Sequence, residues 1–92
     1  MGKQILFVDD DALLRRLVRH MLEQGGYKVS LASSGKEGLT SARTQLPDLI
    51  LLDLMMPGMN GFEVCREIRR DPRFSSTPVV MLTAMSSVDV ND

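Results

Sequence analysis

Acidic side chains gather at two points of this sequence where they could do chemistry. Asp9, Asp10 and Asp11 follow the apolar run Ile5–Val8, and Asp53 follows the apolar run Leu49–Leu52. A third reactive group, the hydroxyl of Thr83, follows Val79–Leu82 and precedes the small Ala84. Carboxylates held together repel one another, which raises their pKa values and costs stability unless a cation neutralises them. Oxygen ligands completed by water suit Mg²⁺, which typically takes one or two carboxylates plus a substrate phosphate. Mn²⁺ can substitute, whereas zinc favours histidine or cysteine ligands, which this cluster lacks. A carboxylate beside such a cation can also act as a nucleophile toward phosphorus, giving an acyl phosphate. Phosphoryl transfer needs mainly alignment and charge neutralisation, so a metal, a hydroxyl and a few backbone N–H groups supply much of the machinery. Thr83 offers the hydroxyl, and Ala84 leaves space for the phosphoryl group.

These groups can meet only if the elements before them end at one edge. Ile5–Val8 is a solid apolar run, too short for a helix and without polar alternation, and reads as a strand buried on both faces. Leu13, Leu14, Leu17, Val18, Met21 and Leu22 then recur at helical spacing, with Arg15, Arg16, Arg19 and Glu23 opposite. Asp11 is placed to cap that helix, and Gly25-Gly26 to stop it. Lys28–Ala32 is a short strand, and Ser33-Ser34-Gly35 offers N-cap candidates for a helix through about Gln45, closed by Pro47. Its apolar face is Leu39, Ala42 and Leu46. Leu49–Leu52, the most apolar run, is expected to be the central strand. After the turn-rich Met56–Gly61 segment, Phe62, Cys65 and Ile68 mark the inner face of a third helix that ends at Asp71-Pro72. Val79–Leu82 is a fourth buried strand.

The order β-α-β-α-β-α-β calls for a parallel sheet with right-handed crossovers and helices on both faces. In such sheets the functional crevice lies beyond the carboxyl ends of the strands, near the switch in strand order. Asp9, Asp10, Asp53 and Thr83 all fall there.

Ninety-two residues make one small domain with a thin margin of stability. Eleven basic residues against twelve acidic ones, with no basic stripe interleaved with aromatics, give no case for nucleic-acid binding. No apolar run approaches the length of a membrane span and no signal-peptide pattern opens the chain, so a cytoplasmic protein is expected. The single cysteine, Cys65, fits a reducing compartment and reads as core. His20 has no metal-ligand partners nearby and reads as a surface residue. Ser34-Gly35-Lys36 lacks the spacing and first glycine of a phosphate-binding loop.

Three segments, Ile5–Asp11, Asp53–Gly61 and Val79–Ala84, occur in order and at strand ends, and together the sequence resembles the response-regulator receiver family from about Lys3 to Ala84. The resemblance implies a CheY-like (flavodoxin-like) doubly wound parallel sheet of strand order 2-1-3-4, with residues 1–92 forming one receiver domain. It implies Asp53 as phosphoacceptor, Asp10 as a direct Mg²⁺ ligand, Asp9 contributing mostly through water, and the Met55 carbonyl as a further ligand. Thr83 and the Ala84 backbone N–H would contact the phosphoryl group, and Thr83 would swing inward on activation. The donor would be a phosphohistidine on a histidine kinase or a histidine phosphotransfer protein, docked near the first helix. A full receiver continues through a fourth helix, a fifth strand bearing a Lys-Pro pair and a fifth helix, so the resemblance implies a domain incomplete at its C-terminus. None of Lys3, Lys28 and Lys36 stands where that lysine would.

Two other functions compete with a phosphorylatable switch. A receiver that no longer switches could serve as a binding or self-assembly module, as a homo-oligomer formed through an exposed edge of Val79–Leu82 or by exchange of elements. A phosphatase with an aspartyl nucleophile would need a second carboxylate two residues after Asp53, where Met55 stands.

Overall fold

Alternation along short apolar strands decides how this chain packs, because successive side chains of a strand leave on opposite faces. The computed structural model describes residues 2–82. It contains β1 (Gln4–Val8), α1 (Ala12–Gln24), β2 (Lys28–Ala32), α2 (Gly35–Gln45), β3 (Leu49–Asp53), α3 (Gly61–Arg70), a 3₁₀ turn (Pro72–Phe74) and β4 (Val79–Leu82). The strands form one parallel sheet in the order β2-β1-β3-β4. β1 and β3 share its interior, and residues Ile5–Val8 are buried on both faces as their unbroken apolar character requires.

One face of the sheet is sealed. Leu6 and Val8 of β1, Ala32 of β2, and Ile50 and Leu52 of β3 pack with Leu39 and Ala42 of α2, Val64 and Ile68 of α3, and Phe74. Gly38 lets α2 come close, since a Cβ there would stand 2.9 Å from a Val8 methyl. On the other face lies α1, which covers β1 and β2. None of its residues is buried, and Leu17 and Met21 are 53% and 66% exposed. Its apolar stripe is helical as expected, but the sheet beside it carries no second helix among the described residues, so the stripe is only partly covered.

The helix ends follow capping chemistry. Asp11 accepts the N–H groups of Leu13 at 2.9 Å and Leu14 at 3.2 Å. Gly26, at φ 93°, turns the chain out of α1 in a left-handed conformation that glycine tolerates. Ser34 caps α2 by accepting the Glu37 N–H. Asn60 and Glu63 form a reciprocal capping box on α3, with bonds of 2.9 and 3.0 Å.

Two inner faces differ from the periodicity. In α3 the buried residues are Gly61, Val64 and Ile68, with Cys65 half-buried against the core, while Phe62 is 59% exposed. The helix begins at Gly61, and the positions three, four and seven residues on face the sheet; Phe62 lies one position, about 100°, away. In α2, Leu46 is not on the inner face but forms the left-handed cap at φ 49°, donating to Ala42 O at 2.8 Å. There the helix has already ended, so its periodicity no longer applies.

Candidate metal and phosphoacceptor site

Register brings the two acidic segments together. β1 pairs with β3 up to Val8 opposite Leu52, so the next residues along, Asp9 just past β1 and Asp53 as the last residue of β3, lie at the same level. Both continue the odd-numbered series that includes Phe7 and Leu51 and therefore belong to the α1 side. Carboxylate oxygens of Asp9, Asp10 and Asp53 all lie within 4.8 Å of one another. They open onto a cleft of about 650 Å³, bounded also by Phe7, Leu14 and Leu82.

Each carboxylate is placed by the backbone around it. Asp9 is 5% exposed; its N–H donates to Ala32 O at 3.1 Å, and its Oδ1 accepts the Asp11 N–H at 2.8 Å. Asp53 Oδ1 accepts the Met55 N–H at 3.1 Å, which folds the segment after β3 back over the carboxylate and leaves Oδ2 for chemistry. Gly61 makes room at this end of the sheet, because a Cβ on it would stand 2.5 Å from Asp53 O. The same glycine donates its N–H to Leu54 O at 3.2 Å, tying the start of α3 to the strand end.

Burial pushes the Asp9 carboxyl above its ordinary value; the Asp11 N–H opposes that shift, and the charges of Asp53, Asp10 and Asp11 add to it. Such a cluster is suited to a cation. Its oxygens are close enough together to converge on one Mg²⁺. All the donors are hard oxygens, as Mg²⁺ requires, and no lysine borders the cleft among the described residues.

The chain matches the response regulator receiver domain family over residues 5–91. It belongs to that family. Among curated relatives, this receiver is 47% identical over 91 residues to the DNA-binding response regulator MtrA of Mycobacterium tuberculosis, covering 98% of this chain and 39% of that protein. It therefore spans about two-fifths of the length of that relative. Among solved structures, the N-terminal receiver domain of a response regulator from Methanoculleus marisnigri superposes with a TM-score of 0.85 at 44% identity, over 89% of this chain and 67% of that one. The receiver domain of a sensor histidine kinase from Pseudomonas aeruginosa, with a magnesium ion coordinated in its active-site cleft, gives 0.86 at 34% identity, over 94% of this chain and 70% of that one. The CheY-like fold and strand order expected from the sequence are those observed.

The receiver thus brings Asp9, Asp10, Asp53 and Met55 to one edge. Thr83 and Ala84 lie outside the described residues; Leu82, which pairs with Asp53, immediately precedes Thr83 in the sequence. His20 is exposed, as expected, and bonded to Gln24, whereas Cys65, expected in the core, is half-buried and packs against it. Periodicity placed Arg15 on the solvent side of its helix, yet its Nη1 donates to Asp9 O at 2.6 Å. The available signal was its position one turn after the acidic segment, because helical side chains lean toward the N-terminus. Gly61 was legible as a turn residue but not as the spacer that admits α3 to the Asp53 strand end.

Proposed function

We propose that this receiver takes a phosphoryl group onto Asp53 from a phosphohistidine of a histidine kinase or histidine phosphotransfer protein. Receiver domains take phosphoryl groups from histidine kinases, and the observation that carries the assignment to Asp53 is the register that sets it level with Asp9 at the mouth of the cleft. Asp10 and Asp53 would hold Mg²⁺ directly, with Asp9 acting mostly through water and the Met55 carbonyl as a further ligand. Mn²⁺, with the same preference for oxygen, is expected to substitute. The bound cation would neutralise the charge that gathers on the phosphoryl oxygens.

This chain's own groups supply alignment. The Met55 N–H orients the Asp53 carboxylate through Oδ1, so that Oδ2 can attack phosphorus. A P–O bond to Asp53 forms as the P–N bond of the donor breaks, and the electron pair returns to the imidazole, which takes up a proton. The Thr83 hydroxyl and the Ala84 N–H are assigned to the phosphoryl oxygens. Residues 1–92 act as a single receiver domain in this reading, in the cytoplasm. No helix among the described residues is long and apolar enough to cross a membrane. The absence of direct nucleic-acid contact is proposed for this chain alone, because it covers only part of the relative named DNA-binding.

Self-assembly through β4 is not favoured. β4 ends the described sheet and Val80 is 44% exposed, but the relatives and solved structures it resembles are signalling receivers. The test is Mg²⁺-dependent labelling by a small acyl phosphate, read as the mass gain of one phosphoryl group. Labelling is expected in the wild type and absent in Asp53→Asn; undiminished labelling of that variant would sink the assignment.

A further inference from the structure

The Asp9 carbonyl belongs to the peptide unit that joins Asp9 to Asp10. Because that unit is planar, the direction of its C=O ties ψ of Asp9 to φ of Asp10. Whatever holds this carbonyl therefore sets where two neighbouring carboxylates point. Arg15 holds it, through an Nη1 donor at 2.6 Å. The Asp9 carbonyl lies just past the last paired residues of β1 and β3, and a buried carbonyl without a donor is costly. A guanidinium supplies a charge-assisted bond of the stronger kind. Arg15 reaches the carbonyl from half-buried ground on α1, leaning back over the loop that precedes its helix.

We infer that Arg15 is a positioning residue of the metal site, aiming the Asp9 and Asp10 carboxylates into one cleft through the Asp9 carbonyl. The inference rests on the Mg²⁺ reading of the cluster above. It is separable from a plain charge effect because the two have opposite signs. A cation near an acidic cluster repels Mg²⁺, so removing it would tighten binding; losing a positioning contact loosens it.

Calorimetric titration of Mg²⁺ into the intact protein decides between them. Arg15→Met keeps the apolar stem without a donor and is expected to weaken Mg²⁺ binding about tenfold, the lower end for partners that orient metal ligands. Arg15→Lys, which retains a donor, is expected to recover most of that loss, with a metal-free Tm equal to that of the wild type. Unchanged or tighter binding in Arg15→Met overturns the inference, as does Arg15→Lys binding no better than Arg15→Met. Should Arg15→Met fail to fold, Arg15→Gln decides: this neutral side chain of shorter reach is expected to bind Mg²⁺ more weakly than the wild type, and unchanged or tighter binding overturns the inference. A wild type that binds no Mg²⁺ would instead sink the metal reading itself.

Discussion

The two faces of the sheet are built from alternate residues of the same strands, yet they have become different kinds of surface. Leu6, Val8, Ile50 and Leu52 face α2 and α3 and are wholly enclosed, at 1% exposure or less. Their neighbours in the chain point toward α1, where Leu49 and Leu51 are half-buried and Val80 and Leu82 are exposed. The sealed face makes the core, and Asp9 and Asp53 belong to the open one. Carboxylates proposed to exchange a cation and meet a phosphodonor need water and access. Among the described residues one helix lies on that face and leaves the cleft open, while the opposite face fixes the strand ends in place.

Substitutions on the two faces test that division, and the largest effect is expected on the sealed side. Leu52→Ala should cost about 3 kcal/mol, the usual result of emptying a closed core site, a large share of the stability of a small domain, read as a lowered midpoint in a denaturant titration. A loss below about 1 kcal/mol would mean that this face is not the closed core it is taken to be.

An intermediate effect of opposite sign is expected at the acidic cluster. The folded chain raises the Asp9 carboxyl above its ordinary 3.8, so the native state binds that proton more tightly than the unfolded state. Ionisation of Asp9 therefore opposes folding: the contribution of Asp9 to metal-free stability is fullest below 3.8 and declines as pH rises through the raised folded value. Asp9→Asn keeps the acceptor for the Asp11 N–H and removes the charge. It should raise the metal-free Tm by about 4 °C, or roughly 1 kcal/mol, and flatten the decline. Thermal melts across pH check this, and Mg²⁺ should stabilise the wild type more than the variant.

The smallest effect is expected on the exposed stripe of α1. Leu17→Gln, at a residue 53% exposed, should change stability by no more than about 0.5 kcal/mol. A loss comparable with that of Leu52→Ala would show that α1 is covered in solution and would erase the contrast between the faces.

Much of this was legible in the residues themselves. Unbroken apolar runs too short for helices marked the strands, Asp11 and Gly25-Gly26 marked the ends of α1, and acidic residues directly after two strands marked the site. These signals are local: a strand buried on both faces has no polar alternation, and a cap needs its oxygen or its glycine at one position. Phe62 and Leu46 misled because periodicity gives a helix a face but not its phase, which the starting residue and the neighbouring sheet determine.

What the sequence determined alone was the element order, the chemistry available at the strand ends and the family that combines them. What only the tertiary structure decided was which long-range partners met. The pairing of Val8 with Leu52 levels Asp9 with Asp53, the missing side chain of Gly61 admits α3 beside Asp53, and the reach of Arg15 to the Asp9 carbonyl links α1 to the acidic cluster. Register, close approach and side-chain reach each depend on two segments far apart in the chain, and no local pattern records a distance between them.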